Sequence, residues 1–409
     1  MRSSVVALAL LVVLAGCAGT LTPAGDSVTL VEEWQAGESS VAGNHHAVAA
    51  GRVDGEAVIA VPIGGRSGEV GCKLLVLDGA GNQRWTAPVP TDACTIHAVA
   101  DPALADFLGD ETPELLVTST EREAVAYDPL SGERLFGYPL ANYGYTRPVV
   151  ADATGDGAAD LVVTDIDGTL AVVAPDGSTA WRRPLAAYSW SAPSVGDFDA
   201  DGGPETVVGL GNETVVAFDA RGRVAWTTAV SGAVTWSGAG NIDTDEPREF
   251  LAASPTGVVT ALDGRAGTVE WTRSLGAYAA VGDSVASAAG ARVYATNQTG
   301  TLFALEGSDG SVAWTRDLTA ADTQMTPPPV AGDVTGDGTP ELVAVTNDGR
   351  VAVVDTDGSV LATYHRDAAV YTHATLADTD GDGRQEVYVL YGDGTVVALT
   401  AQISSSASS

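Results

Sequence analysis

The chain has 409 residues, of which 45 % are hydrophobic, so it can bury a large core. Acidic residues outnumber basic residues by 53 to 20, which gives a formal net charge of −33 at pH 7. A surface with this charge repels nucleic acid and the anionic face of a membrane. The composition therefore argues against nucleic acid and against an anionic lipid surface as partners.

The amino terminus has the layout of a secretion signal, with one arginine followed by the apolar run VVALALLVVL. This run is too short for a stable transmembrane helix. LAGC at residues 14–17 resembles the lipobox of secreted lipoproteins, which implies cleavage before Cys17 and lipid attachment to its sulfur. A plain signal peptide over residues 1–17 with an incidental cysteine is the alternative. Residues 18–26 then form a polar tether, and the lipid anchor is the only membrane contact that we expect.

Two further cysteines and two sequons also bear on the compartment. In an extracytoplasmic protein the isolated pair Cys72 and Cys94 favours a disulfide, and two free thiols are the alternative. The triplets NET at Asn212 and NQT at Asn297 are potential N-glycosylation sites, although such triplets are common by chance. We therefore expect an extracytoplasmic protein at the cell surface, lipid-anchored to the cytoplasmic membrane.

A strand that carries a tryptophan and a short tail recurs along the chain. Its copies read VEEWQA, NQRWTAPV, STAWRRPL, RVAWTTAV, TVEWTRSL and SVAWTRDL, with degenerate copies LFGYPL near residue 136 and VLATYH near residue 362. Trp34 and Trp85 are 51 residues apart, whereas Trp271 and Trp314 are 43 residues apart. Eight copies of a unit of about 45 residues indicate a repeat architecture.

Each unit also contains three other short strands with glycine-rich turns, and the two ends of the chain complement each other. The last strand, VVALT, has no tryptophan strand after it, while SVTLVEEWQ at residues 27–35 has no strand before it. We therefore predict an all-β chain with a single eight-bladed β-propeller of four-stranded blades over residues 27–400, closed by pairing the N-terminal strand with the last blade. Residues 401–409 form a serine-rich tail. A multi-domain sandwich is disfavoured because no linker interrupts the repeat.

Three resemblances follow from these motifs. The run V-x-A-L-D-x-x-x-G-x-x-x-W resembles the repeat of quinoprotein-type (PQQ-like) propellers. The Asp-rich turns resemble the FG-GAP or VCBS repeats of integrin-α-like propellers. A composition poor in lysine and rich in aspartate resembles that of proteins from salt-loving archaea, in which molar salt screens the repulsion between like charges.

The Asp-rich turns place carboxylates at fixed offsets before a β-strand. The candidate metal ligands are Asp152, Asp156 and Asp160; Asp197, Asp199, Asp201 and Glu205; Asn241, Asp243, Asp245 and Glu249; Asp333, Asp337 and Glu341; and Asp378, Asp380, Asp382 and Glu386. A sixth turn, which begins at Asp106, has leucine at position 3 and is expected to hold no cation.

Oxygen ligands at positions 1, 3 and 5, with a glycine at position 6, suit a hard cation at about 2.4 Å. The closing carboxylate is at position 9 and a strand follows, so these loops differ from an EF-hand, which closes at position 12 and continues into a helix. We predict structural calcium, about two to five ions per chain. The alternative is that the acidic loops only solvate a salt-adapted surface.

The innermost strands of a propeller line its central channel, and here several begin with aromatic residues or histidine. The possible ligand-binding residues of this channel are His46, His97, His373, Tyr145, Trp190 and Tyr371. Ring closure makes the blades that contain the three histidines consecutive, so their imidazoles could converge on a transition metal or a ligand. The alternative is that these histidines only form hydrogen bonds between blades.

The resemblance to quinoprotein dehydrogenases is confined to the blade-forming residues, because that family also has an adjacent cysteine pair that this chain lacks. We therefore expect a monomeric, calcium-stabilised cell-surface lipoprotein that binds or scaffolds an extracellular protein or glycan partner without catalysis. An extracytoplasmic enzyme that uses the channel, either quinone-dependent or polysaccharide-cleaving, is the alternative. A structural surface-layer component is a third possibility.

Overall fold

Short stretches rich in valine, leucine and alanine form most of the second and third strands of the repeat units in the described residues, and Gly/Asp turns separate them. The computed structural model describes residues 27–37, 44–64, 71–94, 97–283, 285–287, 290–321 and 323–404. The predicted signal, Cys17 and the tether lie outside the described residues. Within the described ranges the secondary structure consists of strands without a helix, so none of their segments could cross a membrane as a helix.

The strands form eight sheets, one for each blade. The first strand along the chain is β1 (Ser27–Gly37), which belongs to blade 8. Blades 1 to 4 are β2 (Ala49–Val53), β3 (Glu56–Ile63), β4 (Lys73–Leu77) and β5 (Gln83–Pro88); β6 (Ala103–Ala105), β7 (Glu114–Thr118), β8 (Glu123–Tyr127) and β9 (Arg134–Pro139); β10 (Val149–Ala151), β11 (Asp160–Thr164), β12 (Thr169–Val173) and β13 (Thr179–Pro184); and β14 (Ser194–Gly196), β15 (Glu205–Leu210), β16 (Thr214–Phe218) and β17 (Val224–Ala229).

The other four blades complete the ring. They are β18 (Trp236–Gly240), β19 (Glu249–Ala253), β20 (Val258–Asp263) and β21 (Val269–Ser274); β22 (Ala279–Val281), β23 (Val285–Ser287), β24 (Gly290–Asn297), β25 (Thr301–Glu306) and β26 (Val312–Asp317); β27 (Val330–Gly332), β28 (Glu341–Val345), β29 (Arg350–Val354) and β30 (Val360–His365); and β31 (Thr375–Ala377), β32 (Glu386–Leu390) and β33 (Thr395–Ser404) with β1.

The predicted closure is confirmed. Strand β1 pairs antiparallel with β33, from Ser27 opposite Ser404 to Gly37 opposite Thr395. The hydrogen-bonded order in blade 8 is β31, β32, β33, β1, so the outer strand of this blade comes from the start of the chain. Strand β33 continues to Ser404, four residues beyond the expected end of the propeller at residue 400.

The core lies between the blades. The second strand of most blades, such as β11 and β32, is buried along its whole length because neighbouring blades cover both of its faces. The outer strands alternate between buried and exposed residues, as in β17 and β21. Eight apolar clusters each combine residues from two consecutive blades, so each blade buries its faces against its neighbours.

The repeated tryptophan connects each blade to the next. The indole ring of Trp271 in blade 5 lies against Gly310, in the turn between the third and fourth strands of blade 6, and its Nε1 donates a hydrogen bond to the Gly307 carbonyl at 2.6 Å. A Cβ atom on Gly310 would be 2.5 Å from this ring, and the φ of +64° also favours glycine. The equivalent pairs are Trp34 with Gly81, Trp85 with Gly132, Trp181 with Gly222, Trp226 with Gly267, Trp314 with Gly358, and Phe136 with Gly177. This contact explains why the sequence repeats glycine and tryptophan together.

A disulfide joins Cys72 and Cys94, whose Cα atoms are 5.8 Å apart. It links the segment before β4 to the connection between blades 1 and 2, where both cysteines are buried beside Val89 and Ala98. The bond therefore tethers the outer part of blade 1 to the chain that enters blade 2.

Candidate functional site

The central channel contains a cavity of about 1310 Å³. The segments that precede the innermost strands supply most of its wall, because each of these strands begins at the same end of the channel. Its aromatic lining consists of Tyr145, Trp190, Trp236, Tyr278, Tyr294 and Tyr371, together with His45, His46 and His373. Of the predicted channel residues, five therefore line one cavity and His97 does not; the five are His46, His373, Tyr145, Trp190 and Tyr371.

The aromatic side chains of blades 3 and 4 pack against one another at the channel. The ring of Trp190 is 4.8 Å from that of Tyr145 and 4.9 Å from that of Tyr188, both in edge-to-face geometry. Tyr188 and Trp190 are each 37 % exposed. These two blades thus present aromatic surface that a ligand can reach.

Histidines of blades 1 and 2 meet at the cavity, where His45 and His46 belong to the wall and His97 is buried next to them. The ring centroids of His46 and His97 are 4.7 Å apart, and that of His45 is 4.5 Å from His46. Tyr145 packs against all three imidazoles at 5.2 to 6.0 Å. The predicted convergence of His46 and His97 is therefore seen in the structure, with His45 as the third imidazole of the cluster.

His373 occupies a different position from the one expected. Its Nε2 is 4.0 Å from a carboxylate oxygen of Asp101, and its ring is 6.4 Å from that of Trp236. The other carboxylate oxygen of Asp101 is 2.8 Å from His46 Nδ1 and also accepts the backbone N–H of Ala47. Asp101 therefore lies between two of the predicted histidines.

The sequence analysis missed Asp101, although one signal could have indicated it. Asp101 stands five positions before Asp106, the first residue of its acidic turn. The same spacing occurs in two other repeats, between His373 and Asp378 and between Arg147 and Asp152. Alignment of the repeats on these turns would have placed the three side chains at the same depth of the channel. Because their chemical types differ, no residue pattern repeats at this position.

Hydrogen bonds fix the protonation of the buried imidazoles. His97 Nε2 lies 3.0 Å from the carbonyl oxygen of Gly144, which can only accept, so Nε2 carries the proton. Burial and the neighbouring His46 lower the pKa of His97 well below its usual range, so this imidazole is neutral. Burial opposes ionisation of Asp101, but the hydrogen bond from His46 and the electrostatic influence of the neighbouring imidazoles lower the pKa of Asp101 to about 2. Burial raises the pKa of Tyr145 to about 12.

The acidic turns lie at the opposite end of the innermost strands, where each joins the second strand of its blade. In the turn after β10, Asp152 accepts the backbone N–H groups of Gly155, Asp156 and Gly157 at 2.6 to 3.1 Å. The closing residue, Asp160, is buried and accepts the N–H groups of Ala153 and Thr154. The first and last carboxylates of the turn therefore hold its backbone.

Several of the acidic turns bring carboxylates together at distances that fit a cation. One oxygen from each of Asp197, Asp199 and Glu205 lies within 4.8 Å of the others, and Asp243, Asp245 and Glu249 have the same arrangement. The carboxylates of Asp106, Asp110 and Glu114, in the turn expected to hold no cation, also meet this distance.

The burial and the charges of the carboxylates in these turns also favour a bound cation. Glu249 is fully buried, and its Oε1 has no hydrogen-bond partner among the described residues. Burial and neighbouring carboxylates raise the pKa of Glu205 and of Glu249 to about 7. A divalent cation at this point would supply the missing partner and offset the repulsion.

The two sequons differ in accessibility. Asn212 is exposed in the turn between β15 and β16. Asn297, at the end of β24, is 7 % exposed, and its Nδ2 donates a hydrogen bond to the Leu275 carbonyl at 2.8 Å. In the folded protein the amide nitrogen of Asn297 is therefore buried and engaged, whereas Asn212 is accessible.

Solved propeller structures resemble this chain over most of its length. BamB from Moraxella catarrhalis matches with a TM-score of 0.59 and 14 % identity, over 91 % of this chain and 100 % of that one. Quinohemoprotein alcohol dehydrogenase from Comamonas testosteroni matches with a TM-score of 0.64 and 13 % identity, over 91 % of this chain and 76 % of that one. The computationally designed Ika8 protein gives 0.61, with 14 % identity over 89 % of this chain and 100 % of that one. At these identities the likeness shows the fold.

The charged groups of the channel wall decide whether it could hold a pyrroloquinoline quinone. This cofactor carries three carboxylates, so its site requires several cationic groups. Among the described residues that line the cavity, Arg147 is the one arginine or lysine, and Asp101 and Asp283 add negative charge. The residues present therefore do not fit an anionic quinone.

A search of curated proteins gives no significant match. In contrast, the family model described as outer membrane protein assembly factor BamB matches residues 80–240, 166–278 and 255–405. These overlapping matches extend over most of the chain and include the outer strands with their tryptophans, from Trp85 to Trp314. The chain therefore belongs to the PQQ-like repeat family of the outer membrane protein assembly factor BamB.

Proposed function

We propose that this protein is an extracytoplasmic binding propeller that takes an extracellular protein or glycan partner at the mouth of its channel, without catalysis. The observation that carries this proposal is the ring of aromatic side chains around a cavity of about 1310 Å³. Aromatic rings stack on the apolar faces of sugars and also anchor protein side chains, and they dominate the energy of binding sites.

The chemistry of the wall narrows the class of partner. Asp101 and Asp283 line the cavity together with hydroxyl groups such as that of Thr235, so the wall can accept hydrogen bonds from hydroxyl or amine donors. The net charge of −33 repels polyanions. The expected partner is therefore a neutral or basic protein segment or a neutral glycan. The name of the family, an assembly factor, supports a protein partner.

The proposal is tested by binding assays on cell-envelope proteins and on arrays of neutral glycans, with the wild-type protein and a Trp190→Ala, Trp236→Ala double variant. We expect the double variant to bind at least about tenfold more weakly, because each indole supplies contact area at the channel. Leu135→Ala is the matched control, since Leu135 is exposed on β9 outside the cavity. Equal binding by the double variant and the wild type would contradict the proposal.

Calcium is the second element of the proposal, as a structural ion in the acidic turns and about two to five per chain. The unpaired oxygen of Glu249 and the convergence of Asp197, Asp199 and Glu205 support it. Elemental mass spectrometry on protein purified without chelator should detect these ions. An Asp199→Asn, Asp243→Asn double variant should then lose calcium and melt at a lower temperature, because binding to the folded state stabilises it. A calcium-free protein with unchanged stability would refute a structural role.

The third element is the anchor at Cys17, with the propeller outside the cytoplasmic membrane as a monomer. A Cys17→Ser variant should be released into the medium or fail to be processed, and fractionation of cells measures this. Recovery of the variant in the membrane fraction at the wild-type level would argue against a lipid anchor.

An enzymatic role of the channel is the second candidate, and the 2.8 Å contact between His46 and Asp101 favours it. A carboxylate that orients an imidazole is a frequent arrangement in acid–base catalysis. In this case the substrate class would be a polysaccharide, because the cavity does not fit a quinone. Release of reducing ends by the wild type, but not by His46→Ala, would establish this alternative over non-catalytic binding.

A further inference from the structure

The cluster of His45, His46 and His97 has the dimensions of a metal site. One ring nitrogen from each histidine lies within 4.8 Å of the other two. Three nitrogens bound to one ion at about 2.1 Å in a tetrahedral arrangement lie about 3.4 Å apart. Rotations that move the ring nitrogens by about an ångström would therefore complete the coordination.

Two of these imidazoles are already oriented to present a lone pair. Because Asp101 accepts the proton of His46 Nδ1 at 2.8 Å, the lone pair of His46 is on Nε2. Because Gly144 accepts the proton of His97 Nε2, the lone pair of His97 is on Nδ1. Neither His46 Nε2 nor His97 Nδ1 has a hydrogen-bond partner among the described residues, and the two side chains are buried, with His46 6 % and His97 2 % exposed.

An unpartnered polar atom in a buried side chain is costly, and here two of them belong to imidazoles whose ring centroids are 4.7 Å apart, which points to a missing partner. We propose that His45, His46 and His97 bind a divalent transition-metal ion of the zinc class at the wall of the channel. This site would lie at the end of the channel opposite the acidic turns and would differ from them in chemistry. It is independent of the proposed partner binding and of the calcium sites.

The donor type separates the two kinds of site. Imidazole nitrogens suit zinc, copper, iron and nickel, whereas calcium takes oxygen ligands. Three histidines leave a fourth position of a tetrahedral ion open, and His45 and His46 both line the cavity, so this position would face the channel. Asp101 would act as the carboxylate that holds a metal-bound histidine in place, and the Gly144 carbonyl would do the same for His97.

The experiment uses the metals alone as probes. The full chain is freed of metal, saturated with calcium to occupy the acidic turns, and titrated with zinc chloride by calorimetry. We expect one tight zinc site per chain in the wild type and its loss in His46→Ala and in His97→Ala. Asp101→Asn should weaken the site by about tenfold, as expected for loss of a residue that orients a ligand.

The chain supplies two matched controls, since it contains five histidines in total. His365→Ala removes an exposed histidine at the end of β30, and His373→Ala removes the channel histidine outside the cluster. Both should bind zinc as tightly as the wild type does. Cobalt chloride gives a readout that needs no variant, because cobalt held by three imidazoles in a tetrahedral site absorbs strongly in the visible range, whereas cobalt on carboxylates does not.

Two results would overturn the proposal. One is a wild type that binds zinc no more tightly than His46→Ala does, with both proteins folded by circular dichroism. The other is a cobalt complex without tetrahedral absorption bands. Partner binding is measured separately, on the metal-free protein. Failure of the zinc proposal can therefore be distinguished from failure of the proposed binding function.

Discussion

The interface between blades 7 and 8 differs from the other seven interfaces of the ring. At the other seven, a tryptophan or Phe136 from the outer strand of one blade lies against a glycine turn of the next. Blade 7 has Ala362 in place of the tryptophan. The receiving turn is also absent, because the third and fourth strands of blade 8, β33 and β1, come from opposite ends of the chain.

Polar contacts and apolar packing replace the tryptophan at this interface. The Tyr364 hydroxyl donates a hydrogen bond to Glu32 at 2.6 Å, and Arg366 contacts Asp393 at 2.8 Å while it lies over the ring of Tyr391. A large apolar cluster, which includes Val345, Val389 and Leu30, fills the space between the two blades. An aromatic ring therefore occurs at the seven interfaces where the next blade has a turn between its third and fourth strands to receive it, and it is absent at the interface without such a turn.

Removal of β1 should have the largest effect on this arrangement. A variant without residues 27–37 leaves β33 as an unpaired edge and uncovers the apolar cluster between blades 7 and 8. We expect loss of cooperative unfolding and aggregation, which circular dichroism and light scattering measure. The control lacks residues 405–409 instead, beyond the end of β33. Melting of the β1-deleted protein at the wild-type temperature would show that closure does not stabilise the ring.

Loss of one docked tryptophan should have an intermediate effect. Trp271→Ala removes a buried ring and its hydrogen bond to Gly307, so we expect destabilisation by about 3–5 kcal/mol. Val269→Ala, two residues earlier on the same strand and 48 % exposed, should change the stability by less than about 0.5 kcal/mol. Denaturant unfolding measures both. Similar values for the two variants would mean that the docked tryptophan does not stabilise the interface.

The smallest effect is expected from Asp393→Asn. Burial opposes ionisation of Asp393, but the hydrogen bonds from Arg366 and Thr395 lower its pKa below the usual 3.8. A lowered pKa stabilises the fold above pH 3.8, and this contribution disappears as the pH falls through the folded pKa. We therefore expect a cost of at most about 1 kcal/mol at pH 7 that declines below pH 4.

Unfolding curves from pH 7 to pH 2 measure this decline. Asp92→Asn removes the same charge from an exposed position and should show little effect at any pH. A cost for Asp393→Asn that stays constant down to pH 2 would exclude the ion pair as its cause.

The fold could be predicted from the sequence because its signals are local and repeated. Tryptophan strands recur at nearly constant spacing, and the two unmatched strands at the chain ends are complementary, so closure followed from the sequence alone. The convergence of His46 and His97 followed in turn, since consecutive blades place equivalent residues side by side.

Other parts of the site could not be predicted because they depend on contacts between positions that no pattern connects. The spacing to its acidic turn indicates that Asp101 lies at the channel, but its role as the partner of His46 is recognisable only when blades 1 and 2 are packed. His45 precedes His46 directly, and a strand-like alternation would direct their side chains apart, but the chain bends before β2 and brings both rings together. The burial of Asn297 could not be predicted either, because a three-residue sequon contains no information on solvent exposure.

The pairing of β1 with β33 also has a consequence for how the protein acquires its structure. Ser27 pairs with Ser404, which is 377 residues later, so β1 cannot take its place in the sheet until β33 has been synthesised. Such a non-local contact costs chain entropy before it contributes any stability, which slows folding. Until that moment β1 is an unpaired strand and Leu30 lacks the partner that buries it, which exposes this part of the nascent chain to aggregation.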